Sequence, residues 1–290
     1  MSAFKRIIFL LTFFILFSCK ESPKKQEEKG LLIEHASSKS KNVFILKDYL
    51  SVKNLEGEHI PRNVWLYLPP NYEASNEQYP VIYMHDGQNL FDKNTSYAGE
   101  WGVDEILNNL YKRSGKGFIV VGIENVGEER MNEYSPWAHE KYGGGSGDNY
   151  LGAIVNILKP TIDKEYRTKR EAKHTGIIGS SMGGLISYYA GLKHPNVFGN
   201  IGVLSPSFWF SKSVLDYTKK KAKKAKNKMF FLLGDQEGMT KEFEEVSTLL
   251  LESGFKSDAL AKKLVPKGKH NEALWNSQFE EVITWLYNIQ

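Results

Sequence analysis

Apolar residues fall along this chain in two rhythms, and their succession predicts the architecture. Residues 43–50 and 63–68 carry strand-like runs, the second stopped by Pro69-Pro70. Residues 80–84 form a short apolar run that ends at His85-Asp86-Gly87, a turn signal. Residues 101–111 have helical spacing, and 117–123 are a continuous apolar run of the kind buried in a parallel sheet. Residues 150–166 read as helix, with Asp148 or Asn149 as cap and a kink expected at Pro160. A buried strand over 175–178 runs directly into Gly179-Ser180-Ser181-Met182-Gly183 and a helix ending near Pro195. The second half repeats the order, with strands at 200–204, 229–233 and 259–265, an amphipathic helix over 240–253 and a closing helix over 271–288. Such alternation predicts one α/β domain, a mostly parallel central sheet with helices on both faces.

Composition narrows the function classes. The 290 residues, 41% of them hydrophobic, suffice for one large core. A net charge of +4 is nearly balanced, and no nucleic-acid-binding motif is present, so nucleic acid is not an expected partner. A single cysteine excludes intramolecular disulfides and cysteine-rich metal sites. The basic tract over 219–228 reads first as a solvated helix end ahead of a strand, and second as a surface for a polyanion or anionic lipid. The run Gly143-Gly144-Gly145-Ser146-Gly147 is followed by no Gly-Lys-Ser/Thr, so it is not a phosphate loop; it reads as a mobile loop.

The first segment changes the picture. Lys5 and Arg6 precede an apolar run over 7–17, which is too short to span a bilayer as a mature helix, and Ser18-Cys19 follows. This is the layout of a secretory signal over 1–18. Leu16-Phe17-Ser18-Cys19 resembles a bacterial lipobox, although Phe17 is an unusual residue there. The resemblance implies cleavage before Cys19, acyl chains on that residue, and a protein held in the cell envelope, at the outer membrane or facing the periplasm. Without lipidation of Cys19 the expectation is secretion. Residues 19–40 then read as a charged, Pro-containing tether, and 41–290 as the folded domain.

The chemistry centres on Gly179-Ser180-Ser181-Met182-Gly183. A Gly-x-Ser-x-Gly pattern means little alone, but here it follows an apolar strand and opens a helix, which is the context that lifts a serine hydroxyl clear of a sheet. A hydroxyl is a poor nucleophile until a base takes its proton. Two histidines follow Ser181; His194 sits at a helix end, and His270 lies in the loop after the last strand. Chain order therefore selects His270 as base. The acid belongs after the strand at 229–233, where Asp235 and Glu237 both qualify. Backbone amides of Met182 and Gln88 are the expected oxyanion donors. His85 and Asp86 stand at the same strand end; Asp86 is expected to line the pocket, and His85 is equally well read as an interior histidine.

Several blocks in register resemble the putative esterase family of the α/β-hydrolase superfamily: 85–91, Gly99-Glu100-Trp101-Gly102-Val103-Asp104, Glu133-Tyr134-Ser135-Pro136-Trp137, the serine block, and Ser205-Pro206-Ser207-Phe208-Trp209. That family includes S-formylglutathione hydrolases, feruloyl and acetyl-xylan esterases, siderophore esterases and mycolyltransferases. The likeness implies an α/β-hydrolase fold and cleavage of carboxylic esters through an acyl-enzyme, with no cofactor and no metal. Family spacing from Gly234 implies Glu237 as the acid. Arg130 and Trp209 lie in blocks resembling pocket-lining segments, so Arg130 is expected to clamp an anionic substrate and Trp209 to stack on an aromatic acyl group, core packing being the alternative for Trp209. The expected substrate is a small-molecule, glycan or siderophore ester. Acyl transfer to a sugar hydroxyl and a non-catalytic ligand-binding lipoprotein are the rival functions.

Overall fold

The computed structural model describes residues 37–289. The signal over 1–18, Cys19 and the tether up to residue 36 lie outside the described residues. In chain order the elements are β1 (Val43–Lys53), β2 (His59–Tyr67), β3 (Val81–His85), α1 (Val103–Ser114), β4 (Ile119–Ile123), α2 (Glu129–Glu133), β5 (Ala138–His139), β6 (Gly143–Gly144), α3 (Gly147–Ala153) and α4 (Lys159–Glu165). There follow β7 (Thr175–Ser180), α5 (Met182–Lys193), β8 (Asn200–Leu204), α6 (Ser213–Lys221), β9 (Lys228–Gly234), α7 (Thr240–Glu252), β10 (Leu260–Val265) and α8 (Glu272–Tyr287). Eight strands make one sheet in the order β1-β2-β4-β3-β7-β8-β9-β10. β1 and β2 pair antiparallel, as do β2 and β4, and from β4 onward every pairing is parallel.

Strand periodicity divides the core between the two faces. Val81, Tyr83, Ile177, Ile201, Val203, Met229 and Phe231 pack on one side with residues of α3–α7. Their neighbours Ile82, Met84, Ile178, Leu204, Phe230 and Leu232 pack on the other with α1 and α8. Side chains alternate along a strand, so an apolar run with no polar partner residues can only sit between two helical layers. That is the mostly parallel sheet covered on both faces that the runs at 80–84, 117–123 and 175–178 predict, and it fits the α/β-hydrolase fold that the family resemblance implies.

Three local departures from the sequence reading have plain causes. Where a kink is expected at Pro160, a π-helical turn, Ile154–Leu158, joins α3 to α4. The wider turn accommodates a residue without an N–H, whose ring crowds the preceding turn. The glycine run at 143–147 is not a mobile loop: Gly143 and Gly144 pair with Ala138 and His139 as a short hairpin. Gly144 has φ of 100°, and a Cβ there would lie 2.3 Å from the Trp137 carbonyl oxygen, so these glycines serve close packing. The domain also begins earlier than residue 41, because Ser37 and Ser38 hydrogen-bond Asp92 and the Ser40 amide donates to Asp104 at 2.6 Å. The basic tract over 219–228 forms the last turn of α6 and the approach to β9, with most of its lysines exposed, a solvated helix end.

Candidate active site

Four parallel strands, β7 to β10, end at one edge of the sheet, and the loops leaving that edge carry the predicted residues. Ser181 stands between β7 and α5 with φ of 59° and ψ of −123°, outside the regions an L-residue prefers. Its backbone is over-determined. The Ser181 amide donates to the Leu204 carbonyl at 3.0 Å, and its carbonyl accepts from Leu185 at 3.1 Å and Ser207 at 3.0 Å. The tight turn needs bare backbone on either side. A Cβ at Gly179 would lie 2.7 Å from Gly183 and from the His85 ring, and one at Gly184 would lie 2.7 Å from the Leu204 carbonyl oxygen. The Ser181 hydroxyl hydrogen-bonds the Ser207 hydroxyl at 3.3 Å rather than His270.

Geometry separates the two candidates for the acid, Asp235 and Glu237. Asp235 is exposed, whereas the Glu237 side chain has no accessible surface and its Oε2 is 2.7 Å from His270 Nδ1. Its Oε1 accepts from the Gly234 amide at 2.7 Å and from the Ser205 hydroxyl at 2.8 Å. A carboxylate accepts only, so Nδ1 carries the proton and Nε2 keeps its lone pair. The two loops are sewn together: Asp235 N donates to the Val265 carbonyl and Gln236 N to the Gly268 carbonyl, both at 3.0 Å. The approach is close enough that a Cβ at Gly234 would lie 2.4 Å from Gly268, so both positions exclude a side chain.

The loop after β3 supplies the second wall. Asp86 is left-handed (φ 58°, ψ 47°) and starts a single helical turn, Gly87–Asn89. Gly87 rests on β4, where a Cβ would lie 2.7 Å from the Gly122 backbone. Gln88 sits in that first turn and Met182 is the first residue of α5, positions whose amides have no partner within their own helix. The Gln88 side chain is itself held by Asn125, whose amide donates to Gln88 Oε1 at 3.2 Å. Arg130 directs Nε and Nη2 to Asp86 at 2.7 and 2.9 Å, and Asn125 Nδ2 adds a third bond at 2.7 Å. Asp86 and Arg130 therefore reach the site as a bidentate pair. Burial works to raise the Asp86 carboxyl, but Arg130 and Asn125 outweigh it and hold it below the usual carboxylate range.

A strained serine, a carboxylate-paired imidazole and two helix-start amides at one sheet edge are groups of the types that acyl transfer uses. In comparison with protein families, residues 59–286 match the family described as "Putative esterase". The chain belongs to this family. Ester hydrolysis is the activity that membership supports. YbbA, an uncharacterized protein of Bacillus subtilis, is 31% identical over 242 residues, 78% of this chain and 92% of that one. The endo-1,4-beta-xylanase/feruloyl esterase of Xylanibacter ruminicola is 27% identical over 231 residues, covering 77% of this chain and only 29% of that longer protein. Among solved structures, the enterobactin esterase of Shigella flexneri superposes with a TM-score of 0.68 at 19% identity, over 87% of this chain and 60% of that one; this likeness is one of fold.

The other expected residues are divided between surface and interior. Trp209 is 43% exposed, two residues beyond Ser207, and meets Tyr142 and His139 edge to face at 5.7 and 6.4 Å, so it is not core packing. His85 is the interior histidine: it is buried beneath the serine turn, Nδ1 2.8 Å from the Tyr150 hydroxyl. Sequence reasoning did not single out Ser205, Ser207, Asn125 or Trp275. Their signal was position, since Ser205 and Ser207 follow the carboxyl end of a strand in a parallel sheet, where ligand-facing residues gather. Among the described residues, Glu100, Asp104 and Glu105 are the one grouping with metal-ligand spacing; they lie at the start of α1, and none belongs to the serine site.

Burial pushes the His85 imidazole down from 6.5 to about 4; Arg130 adds to the effect and Asp86 opposes it. The unfolded chain protonates the same ring near pH 6.5, so more protons bind to the unfolded state between the two values. The stability from this group is complete above pH 6.5 and is lost as pH falls toward 4, an effect of roughly 3 kcal/mol. Thermal melts of the wild type should drop in Tm between pH 7 and pH 4.5, and His85→Gln should drop less. Equal slopes for the two proteins would remove His85 from this role.

Proposed function

We propose that the protein is a serine hydrolase that cleaves carboxylic esters through an acyl-enzyme. The observation that carries this reading is the 2.7 Å Glu237–His270 pair on the loops next to the strained Ser181 turn. In the substrate complex the Ser181 hydroxyl leaves Ser207 and turns to His270 Nε2, a tightening commonly completed only when substrate binds. Oγ then bonds to the ester carbonyl carbon as its proton passes to Nε2, and the oxyanion is met by the Met182 and Gln88 amides. Collapse breaks the ester C–O bond, His270 returns the proton to the leaving alkoxide, and water repeats the sequence to release the acid. Glu237 holds the ring and stabilises the imidazolium without taking its proton.

The substrate we propose is an ester with a planar aromatic acyl group, of the kind for which the similar feruloyl esterase is named. Trp209, with Tyr142 and His139 around it, offers an accessible ring face a short way from Ser207, and an aromatic acyl group can stack there. We also propose that the mature protein is anchored in the cell envelope by acyl chains on Cys19, on the strength of the signal-like segment before it.

Three outcomes are expected. With p-nitrophenyl butyrate, Ser181→Ala should lose about 10⁶-fold in kcat, and Glu237→Gln should lose far more than Asp235→Asn; a Ser181→Ala protein as active as wild type would end the serine assignment. Trp209→Ala should raise KM for methyl ferulate several-fold while leaving p-nitrophenyl acetate nearly unchanged, and a uniform effect on both would remove the stacking role. Expressed in a bacterial host, the wild type should partition into the detergent phase and Cys19→Ser into the aqueous phase; identical partitioning would dismiss the anchor.

A further inference from the structure

The proposed acid and base each touch one of two buried side chains, Ser205 and Trp275, which bond each other and take no part in the steps above. Ser205 follows β8 with φ of 45°, a left-handed conformation that costs a non-glycine residue energy, and it has no accessible surface. Its hydroxyl lies 2.8 Å from Glu237 Oε1 and 2.8 Å from Trp275 Nε1. An indole nitrogen only donates, so the single hydroxyl proton must point at the carboxylate; the direction of the chain is Trp275 to Ser205 to Glu237. The Trp275 ring also stands 5.3 Å from the His270 ring at 86°. Trp275 is fixed in turn by Trp101, 5.4 Å away, whose carbonyl accepts from Asn276 Nδ2 at 2.6 Å.

Resting on the serine-hydrolase reading, we propose that Trp275 and Ser205 form a positioning relay that sets the acid and the base of the site relative to each other. The indole N–H stops the Ser205 hydroxyl from rotating. The hydroxyl and the Gly234 amide together hold Oε1, which leaves Oε2 aimed at His270 Nδ1, and the same indole ring limits the tilt of the imidazole. A glycine at 205 would relieve the backbone without filling this role, so a serine kept in a left-handed conformation points to the hydroxyl as the reason for the residue. The charged groups that bear on His270 are Glu237 from the loop after β9 and Glu272 on the first turn of α8, whose carboxyl also feels Asp86 and Arg130.

The relay separates from mere packing in kinetics. Ser205→Ala, Ser205→Gly and Trp275→Phe should each lower kcat for p-nitrophenyl butyrate roughly 10-fold or more with KM little changed, the consequence of loosened geometry rather than lost binding. Ser205→Ala combined with Trp275→Phe should be no worse than the more severe single variant, because one chain is broken in both. The acidic limb of the kcat/KM profile should move to higher pH in Ser205→Ala, since a carboxylate with one donor fewer stabilises the imidazolium more strongly. Trp275→Phe keeps a ring in the core and carries the test if the Ser205 variants do not fold. Single variants within twofold of wild type, a Ser205→Gly enzyme with restored activity, or additive losses with an unmoved pH limb would each overturn the relay. Full activity of Ser181→Ala would instead retire the hydrolase reading on which it rests.

Discussion

Burying the carboxylate of Glu237 is the constraint around which the site is built. A carboxylate without access to water is strongly disfavoured unless its oxygens are bonded, and Glu237 meets that condition with one backbone amide, one hydroxyl and one imidazole. Each partner comes from a different segment: Gly234 from the end of β9, Ser205 from the end of β8, and His270 from the loop after β10. The carboxylate is therefore satisfied only when three strand ends are in register. Loss of any one partner would leave a buried charge short of a donor, so the acid reports on the assembly of the whole edge.

The same logic operates one layer deeper. Beneath the loop after β3 lies a polar cluster in which Arg62 and Glu133 form a bidentate ion pair at 2.6 and 2.7 Å, both side chains without exposure. Tyr134 and Tyr150 pack on His85 at 5.2 and 5.6 Å, and the Tyr134 hydroxyl accepts from the Asp86 amide at 3.1 Å. Buried ion pairs of this kind add little net stability, because the desolvation of both charges offsets their attraction. The contact that bears on Asp86 directly is the Tyr134 hydroxyl on its amide, at the left-handed residue from which the turn bearing Gln88 begins.

Close backbone approach is the third element. Gly179 against Gly183, Gly87 against Gly122 and Gly234 against Gly268 are three contacts in which a single Cβ would meet main-chain atoms at 2.4 to 2.7 Å. They seat the Ser181 turn, the loop bearing Gln88 and the seam between the Glu237 and His270 loops respectively. A rigid scaffold carrying its chemistry on short loops requires those loops to touch, and only glycine permits contact at this range.

Much of this was legible in the residues themselves. The alternation of apolar runs and helical stretches determined an α/β sheet covered on both faces, because a strand with no polar positions has no stable place except between two layers. The strand, glycine, serine and helix sequence around Ser181 determined the sharp turn, since the conformation is local. Chain order singled out His270. Asp235 and Glu237, two apart with the same chemistry, could not be told apart by spacing; the fold buries Glu237 against Ser205 and His270 and leaves Asp235 in water. Trp209, open to either reading, was placed at the surface, and Arg130 was turned onto Asp86. The glycine run at 143–147 became a packed hairpin because Trp137 and Phe210 close over it, contacts that its composition does not announce. What the chain encodes locally is conformation and order of elements; which polar group meets which across 30 or more residues is settled by long-range packing, and that exists only once the sheet has formed.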